Sequence, residues 1–273
     1  MKRLILVILL IFVALSNLYS VVYDDVGKGF KEANYKRIVS LAPSITETLM
    51  FLGLSKKIVG VTRYCSIPNK KASIVGGLYD PDLEKIISLS PDIVFMLKFG
   101  SIENYNKLVK LGINVFVLDY SSLEDIEKNM IKISKLLNLS NTNKINEFRS
   151  NMESGVEKLS RKIKGKRVFV MYSYPLIYTA SSNSYVSSLI RYAGGINTTD
   201  NLSHTYQTTT VDIELLLKLS PDIVIITDNS YKDIERELKR LGLKSKFIYV
   251  DPSFITPSPS LLKCIDTIYS SLE

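Results

Sequence analysis

One histidine, His204, and two cysteines, Cys65 and Cys264, are the only imidazole and thiol groups in the 273 residues. A zinc or manganese site of the usual kind takes several histidines or a cysteine set, so no resident metal ion and no cofactor are expected. A Ser-His-Asp hydrolase would have to be built on His204, and the chain has no Gly-x-Ser-x-Gly elbow. Neither a Gly-x-Gly-x-x-Gly fingerprint nor a P-loop follows an apolar run, and the pairs Gly76-Gly77 and Gly194-Gly195 read as turns. These patterns favour a binding protein over a catalyst. The two cysteines form one bridge or stay as thiols; an oxidising compartment permits the first.

Aromatic side chains are the richer resource. There are 16 Tyr and 10 Phe but no Trp. Tyr64, Tyr79, Phe99, Tyr172, Tyr174, Tyr178, Tyr206 and Phe254 fall in segments expected to follow strands, which is where α/β sheets bind ligands. Flat rings with a polar tip suit a large, flat, partly apolar small molecule.

The elements that must position these residues alternate. Arg37–Leu41, Ile58–Thr62, Asp92–Leu97 and Asn114–Leu118 are β-branched runs; helical patterns start at Pro43 and cover Leu83–Leu89, Ile102–Leu111 and Glu124–Leu137. Ser44 and Glu47 have the spacing of a capping box. From Lys144 to Ile163 apolar residues recur every three or four positions, a helix about 30 Å long. A second set follows: strands at Arg167–Tyr172, Asp222–Thr227 and Lys246–Val250, with helices at Tyr185–Ala193, Ile213–Leu219, Lys232–Leu241 and from Pro259. The fold class is therefore α/β: two Rossmann-like lobes with mostly parallel sheets, joined by one long α-helix. The expected boundaries are 1–20 for an export signal, 36–139 for the first lobe, 140–164 for the linking helix and 165–273 for the second lobe. The segment Asp82 to Met96 recurs as Asp212 to Ile226, with Asp, Glu, Leu, Ser, Pro, Asp, Ile and Val at matching places. Two related lobes are the favoured explanation.

Lys2 and Arg3 precede an apolar run from Leu4 to Leu15, and small residues follow at Ser16 and Ser20. That is the layout of a secretory signal, and about 12 apolar residues fall short of a membrane span. With no cysteine near the cut, a periplasmic protein without a lipid anchor is expected. The formal net charge is +8, spread thinly and without a basic, aromatic-flanked cluster, so no nucleic-acid partner is expected.

Arg37 to Glu47, Gly53-Leu54, Ile58 to Pro68, Leu83-Glu84, Ser90 to Val94, Tyr192 to Asn197 and Ser258-Pro259, in this order and spacing, resemble the helical-backbone (class III) solute-binding proteins of ABC importers. That family takes up cobalamin, ferric siderophores and haem, and these motifs sit nearest its cobalamin-binding member. The resemblance implies two α/β lobes on one rigid helix, a monomer, and a chelate held by residues of both lobes for delivery to a permease dimer in the inner membrane. Carried over by position, it implies ligand contacts from Tyr64, Leu78, Tyr79, Leu97, Tyr172, Tyr174, Tyr178, Tyr206, Thr208 and Phe254. Leu78, Leu97 and Thr208 stand where the family member has Trp. It further implies that Glu84 and Glu214 meet arginines of the permease. The resemblance leaves two alternatives: a siderophore held by Arg63 and Lys98, or haem ligated by Tyr79 or His204. An exported protein without a transport role on the same fold is a further one.

Overall fold

The computed structural model describes residues 20–140, 143–202 and 207–273. Residues 1–19 of the expected export signal, His204 and Tyr206 lie outside the described residues. Within them no helix is long and apolar enough to cross a membrane.

The chain divides into two compact units. Among the described residues the first comprises 20–42, 52–119 and 129–140; the second comprises 43–51, 120–128, 143–202 and 207–273. The segments 43–51 and 120–128 thus count with the second unit, although the sequence suggests a first lobe unbroken from 36 to 139.

In the first unit a five-stranded parallel sheet is built from β3 (Ile38–Ser40), β4 (Ile58–Val61), β5 (Ser73–Ile74), β6 (Ile93–Leu97) and β7 (Val115–Leu118). Its spatial order is β5-β4-β3-β6-β7. Every residue of β3, β6 and β7 is buried, as expected of parallel strands covered on both faces, and this is why they read as unbroken apolar runs. Two helices, α2 (Leu83–Ser88) and α3 (Ile102–Lys110), pack Ile86 and Leu108 against Val39, Val94, Met96 and Val117. The order reverses at β3/β6, the switch point at whose carboxyl edge such sheets bind ligands.

A hairpin of β1 (Val21–Tyr23) and β2 (Gly29–Lys31) precedes this sheet, where the sequence suggests no regular structure before Arg37. Its Phe30 ring packs 5.0 Å from that of Phe116. Asp25 N donates to Val117 O (2.9 Å), Val117 N to Asp24 Oδ2 (3.2 Å) and Asp119 N to Asp25 Oδ2 (2.9 Å). The hairpin therefore satisfies the outer edge of β7, which would otherwise be an open template for strand pairing.

The second unit holds α1 (Pro43–Phe51), the first turns of α4 (Leu123–Leu136), and α5 (Asn143–Ile163). In α5, Ile145, Phe148, Met152, Gly155, Leu159 and Ile163 form the buried face, and the helix packs on α9 (Leu261–Ser271). Gly155 lies at that contact, where a Cβ would sit a tight 3.3 Å from Ile265 Cγ2. Gly165, at φ +73°, ends the helix in a conformation that favours glycine.

The sheet of this unit is mixed. β8 (Arg167–Met171), β12 (Ile223–Ile226), β13 (Lys246–Tyr249) and the short β10 (Ile196–Asn197) run parallel; β9 (Ile177–Ala180) alone is reversed, pairing antiparallel with β8 on one side and with β11 (Thr208–Val211) on the other. The helices α6 (Tyr185–Tyr192), α7 (Ile213–Leu219) and α8 (Tyr231–Arg240) complete it. Because α1 begins at Pro43, Ser44 lies inside the helix and not at its cap as the capping-box spacing suggests, and the Glu47 carboxylate is used elsewhere: its Oε2 accepts from Ser260 Oγ (2.9 Å) and from the buried Ser258 hydroxyl.

The sequence repeat has a structural basis in each unit. Asp82 and Asp212 are N-caps, accepting from Lys85 N (2.9 Å) and Leu215 N (2.7 Å). Asp92 accepts from Arg37 N (2.8 Å), and Asp222 from Arg167 N (2.7 Å). The Arg37 and Arg167 guanidiniums in turn donate to Leu89 O and Leu219 O, at the ends of α2 and α7. Each unit thus locks a helix end to the start of a strand with the same Arg and Asp, offset by one repeat.

Candidate functional site

Each unit presents its candidate residues where strands end. In the second unit, a cavity of ≈340 Å³ is lined by Tyr172, Ser173, Tyr178, Ser184, Tyr185, Gln207, Thr208 and Ile255. Tyr178 projects from β9, and Thr208 starts the neighbouring β11, which pairs with it. Tyr172 N donates to Tyr178 O (2.8 Å), so the turn between β8 and β9 holds both tyrosines on one wall. Ser184 caps α6 by accepting from Ser187 N (3.1 Å). Gln207 donates to Tyr120 O at 3.1 Å.

The lining is neutral: hydroxyls, one carboxamide, aromatic faces and one aliphatic side chain. Burial pushes the pKa values of the Tyr172 and Tyr185 hydroxyls well above the ordinary tyrosine value. Both are protonated donors at any physiological pH, and Tyr185 spends its proton on Phe254 O. What the wall can do is stack on a flat apolar face and exchange hydrogen bonds with uncharged amides or hydroxyls.

Several expectations for this wall need correction. Phe254 is 1 % exposed, in the core, and it is the adjacent Ile255, 49 % exposed, that lines the cavity. The two neighbours sit in one 3-10 turn, Pro252–Ile255, where consecutive side chains point in different directions. Tyr174 is half-buried against the core cluster, and its hydroxyl bonds to Glu237, the main reason its pKa is raised. Gln207, Ser184, Tyr185, Ser173 and Ile255 were not foreseen. The only sequence signal for any of them is Ser184 opening a helix.

On the first unit, Tyr64, Tyr79 and Phe99 are 66 %, 65 % and 45 % exposed. They follow β4, β5 and β6 respectively, all on the carboxyl edge of the sheet. Leu78 is half-buried. Leu97 ends β6 with 5 % exposure, so it supports this edge from within the sheet. Arg63 and Lys98 are both ion-paired, with Asp80 (2.8 Å) and Asp119 (3.0 Å). Cys65 and Cys264 are free, buried thiols, each within its own unit, so the bridge is not formed. Among the described residues no group of three or more His, Cys, Asp or Glu is placed to hold a metal ion.

Glu84 and Glu214 occupy the first turns of α2 and α7. Both are exposed, and among the described residues neither makes a hydrogen bond or ion pair. The N-caps explain the aspartates of the repeat; the glutamates gain only the modest favour that a helix N-terminus gives an exposed carboxylate.

The sequence profile of the family described as "Periplasmic binding protein" matches residues 38–245, and the chain belongs to this family. It is a periplasmic binding protein, one that works with a membrane permease and a small-molecule ligand. The chain is 30 % identical over 259 residues to the ABC transporter substrate-binding lipoprotein YvrC of Bacillus subtilis, covering 87 % of this chain and 80 % of that one. It is 26 % identical over 206 residues to the vitamin B12-binding protein of Vibrio vulnificus, 74 % of each chain. Its fold matches that of the periplasmic vitamin B12 binding protein BtuF of Vibrio cholerae with a TM-score of 0.74 at 21 % identity, covering 88 % of this chain and 97 % of that one. The siderophore binding protein BauB has the same fold, with a TM-score of 0.75 at 17 % identity and coverage of 93 % and 99 %.

Proposed function

We propose that this protein captures cobalamin or a related corrinoid in the periplasm and delivers it to an ABC-importer permease. The observation that carries the reading is the neutral aromatic and hydroxyl wall of Tyr172, Tyr178, Gln207 and Thr208. A corrin ring offers a broad apolar face, and its rim is made of uncharged amides. Aromatic stacking and neutral hydrogen bonds are the matching chemistry. Haem carries propionates and many ferric siderophores carry net negative charge; either would leave a buried anion on this wall without a cation to meet it. The relatives described as vitamin B12-binding proteins support the same choice.

A haem reading has one observation in its favour: the exposed phenol of Tyr79, a side chain able to ligate ferric iron. Absorption spectra and calorimetry of purified protein with cyanocobalamin, haemin and ferric chelates decide among the readings. Tight binding of cyanocobalamin alone is expected. A Soret shift with haemin that is lost in Tyr79→Phe would overturn the corrinoid assignment, and silence with every chelate would favour a non-transport role.

A further inference from the structure

Four charged residues stand on the carboxyl edge of the first unit's sheet, two on each side of the β3/β6 switch point. Arg63 follows β4 and meets Asp80, beyond the adjacent β5; Lys98 follows β6 and meets Asp119, which directly follows the adjacent β7. The first pair is a fork: Nη2 to Oδ2 at 2.8 Å and Nη1 to Oδ1 at 3.4 Å. It sits in a space cleared by glycine. A Cβ on Gly77 would lie 2.2 Å from Asp80 Oδ1 and 3.1 Å from Arg63 Nη1. Gly76, at φ +91°, would bring a Cβ to 2.5 Å from Asp80 O. Arg63 N donates to Gly76 O (2.9 Å), so the turn and the pair form together. In the second pair Asp119 is held by its backbone, Asn129 Nδ2 donating to its carbonyl (2.6 Å) and its own N–H donating to Asp25.

These pairs are solvent-accessible, with side-chain exposures of 47 % and 66 % for Arg63 and Asp80 and 51 % and 23 % for Lys98 and Asp119. Exposed ion pairs contribute little to stability, so a turn shaped by two glycines around one of them calls for another role. Each pair also adjoins an exposed ring: Tyr64 beside Arg63, Tyr79 beside Asp80, Phe99 beside Lys98. Arg63 and Lys98, the cations next to these rings in sequence, are each met by a carboxylate of the fold.

We infer that Asp80 and Asp119 are specificity determinants: by neutralising Arg63 and Lys98 they make this edge select chelates of zero net charge and reject anionic ones. The inference rests on the proposed ligand-binding role of this edge and states its charge rule. Rejection here works by withholding an unpaired cation and presenting a carboxylate in its place.

The test compares three probes by calorimetry: cyanocobalamin, a ferric trihydroxamate of zero net charge, and an anionic ferric triscatecholate. The wild type is expected to bind a neutral probe more tightly than the triscatecholate. In Asp80→Asn/Asp119→Asn the ratio of the two affinities should fall about tenfold, and Arg63→Gln added to that variant should raise it again. Arg63→Gln alone, which leaves Asp80 unpaired, should move the ratio the opposite way, so the rule is tested even if the double variant does not fold. A ratio that responds to neither substitution, a wild type that prefers the triscatecholate, or one that takes none of the probes overturns the inference. The corrinoid reading fails separately: if cyanocobalamin is ignored and the neutral trihydroxamate binds, the charge rule stands alone.

Discussion

At the scale of single residues, Tyr178 and Tyr185 have opposite tasks. Tyr178 offers an exposed face and should stack on the ligand. Tyr178→Ala is expected to weaken binding by about 1–3 kcal/mol, while Tyr178→Phe should cost little; calorimetry with cyanocobalamin reads both, and Tyr64→Ala tests the first unit in the same way. Tyr185 is buried and its pKa is raised well above 10.0 by burial. Its folded-state pKa lies above the unfolded one, so its contribution is fully present below about pH 10 and is lost as pH climbs from there toward the folded value. Tyr172 acts in the same direction. Tyr185→Phe should lower stability at pH 7 by about 1 kcal/mol through the lost bond to Phe254 O, yet flatten the alkaline limb of a melting-temperature profile. An alkaline limb as steep as that of the wild type would mean that the phenol titrates without resistance.

Among elements, α1 has the least obvious anchorage. Its Glu47 carboxylate is held by Ser258 and Ser260, more than two hundred residues away. Ser258 is fully buried, so Ser258→Ala removes one donor from the Glu47 carboxylate at its buried side. A loss of about 1–3 kcal/mol is expected in chemical denaturation, with Ser258→Thr retaining most of the stability if its methyl is accommodated. The hairpin of β1 and β2 protects an edge by the same logic, with Asp24 and Asp25 answering the outer groups of β7. Removing both carboxylates should expose that edge and raise aggregation on heating, measurable by light scattering.

For the molecule as a whole, the repeated glutamates matter most. Glu84 and Glu214 sit at matching places, one per unit, exposed and without partners among the described residues. Charge-assisted contacts with arginine are strong and directional, and they orient docking as well as hold it. The proposal that they meet the permease predicts that Glu84→Ala/Glu214→Ala folds and binds ligand as the wild type does, while uptake by cells falls and falls further at higher salt. Normal uptake by the double variant, or loss of ligand binding in solution, would remove the docking assignment.

The sequence by itself determined the α/β class, the buried parallel strands, the long helix and its stop at Gly165, the repeat, and the placing of Tyr64, Tyr79, Phe99 and Tyr172 just after strands; Tyr178, expected in a loop, stands on β9. All of these follow from patterns read over a few neighbouring residues: β-branched runs, apolar periods of three to four, and a segment whose residues recur at matching places. Only the tertiary structure decided which aromatic of a loop faces outward. Ile255 took the place expected of Phe254 because a 3-10 turn sends adjacent side chains apart, and Tyr174 turned to Glu237. The antiparallel strands β9 and β11 escaped notice because Thr208–Val211 is half exposed and carries only one buried residue. The ties from Arg63 to Asp80, Asp24 to Val117 and Glu47 to Ser258 join residues 17, 93 and 211 positions apart. No local period encodes such a pairing; it exists only once the strands have been ordered, since the order sets which loops become neighbours.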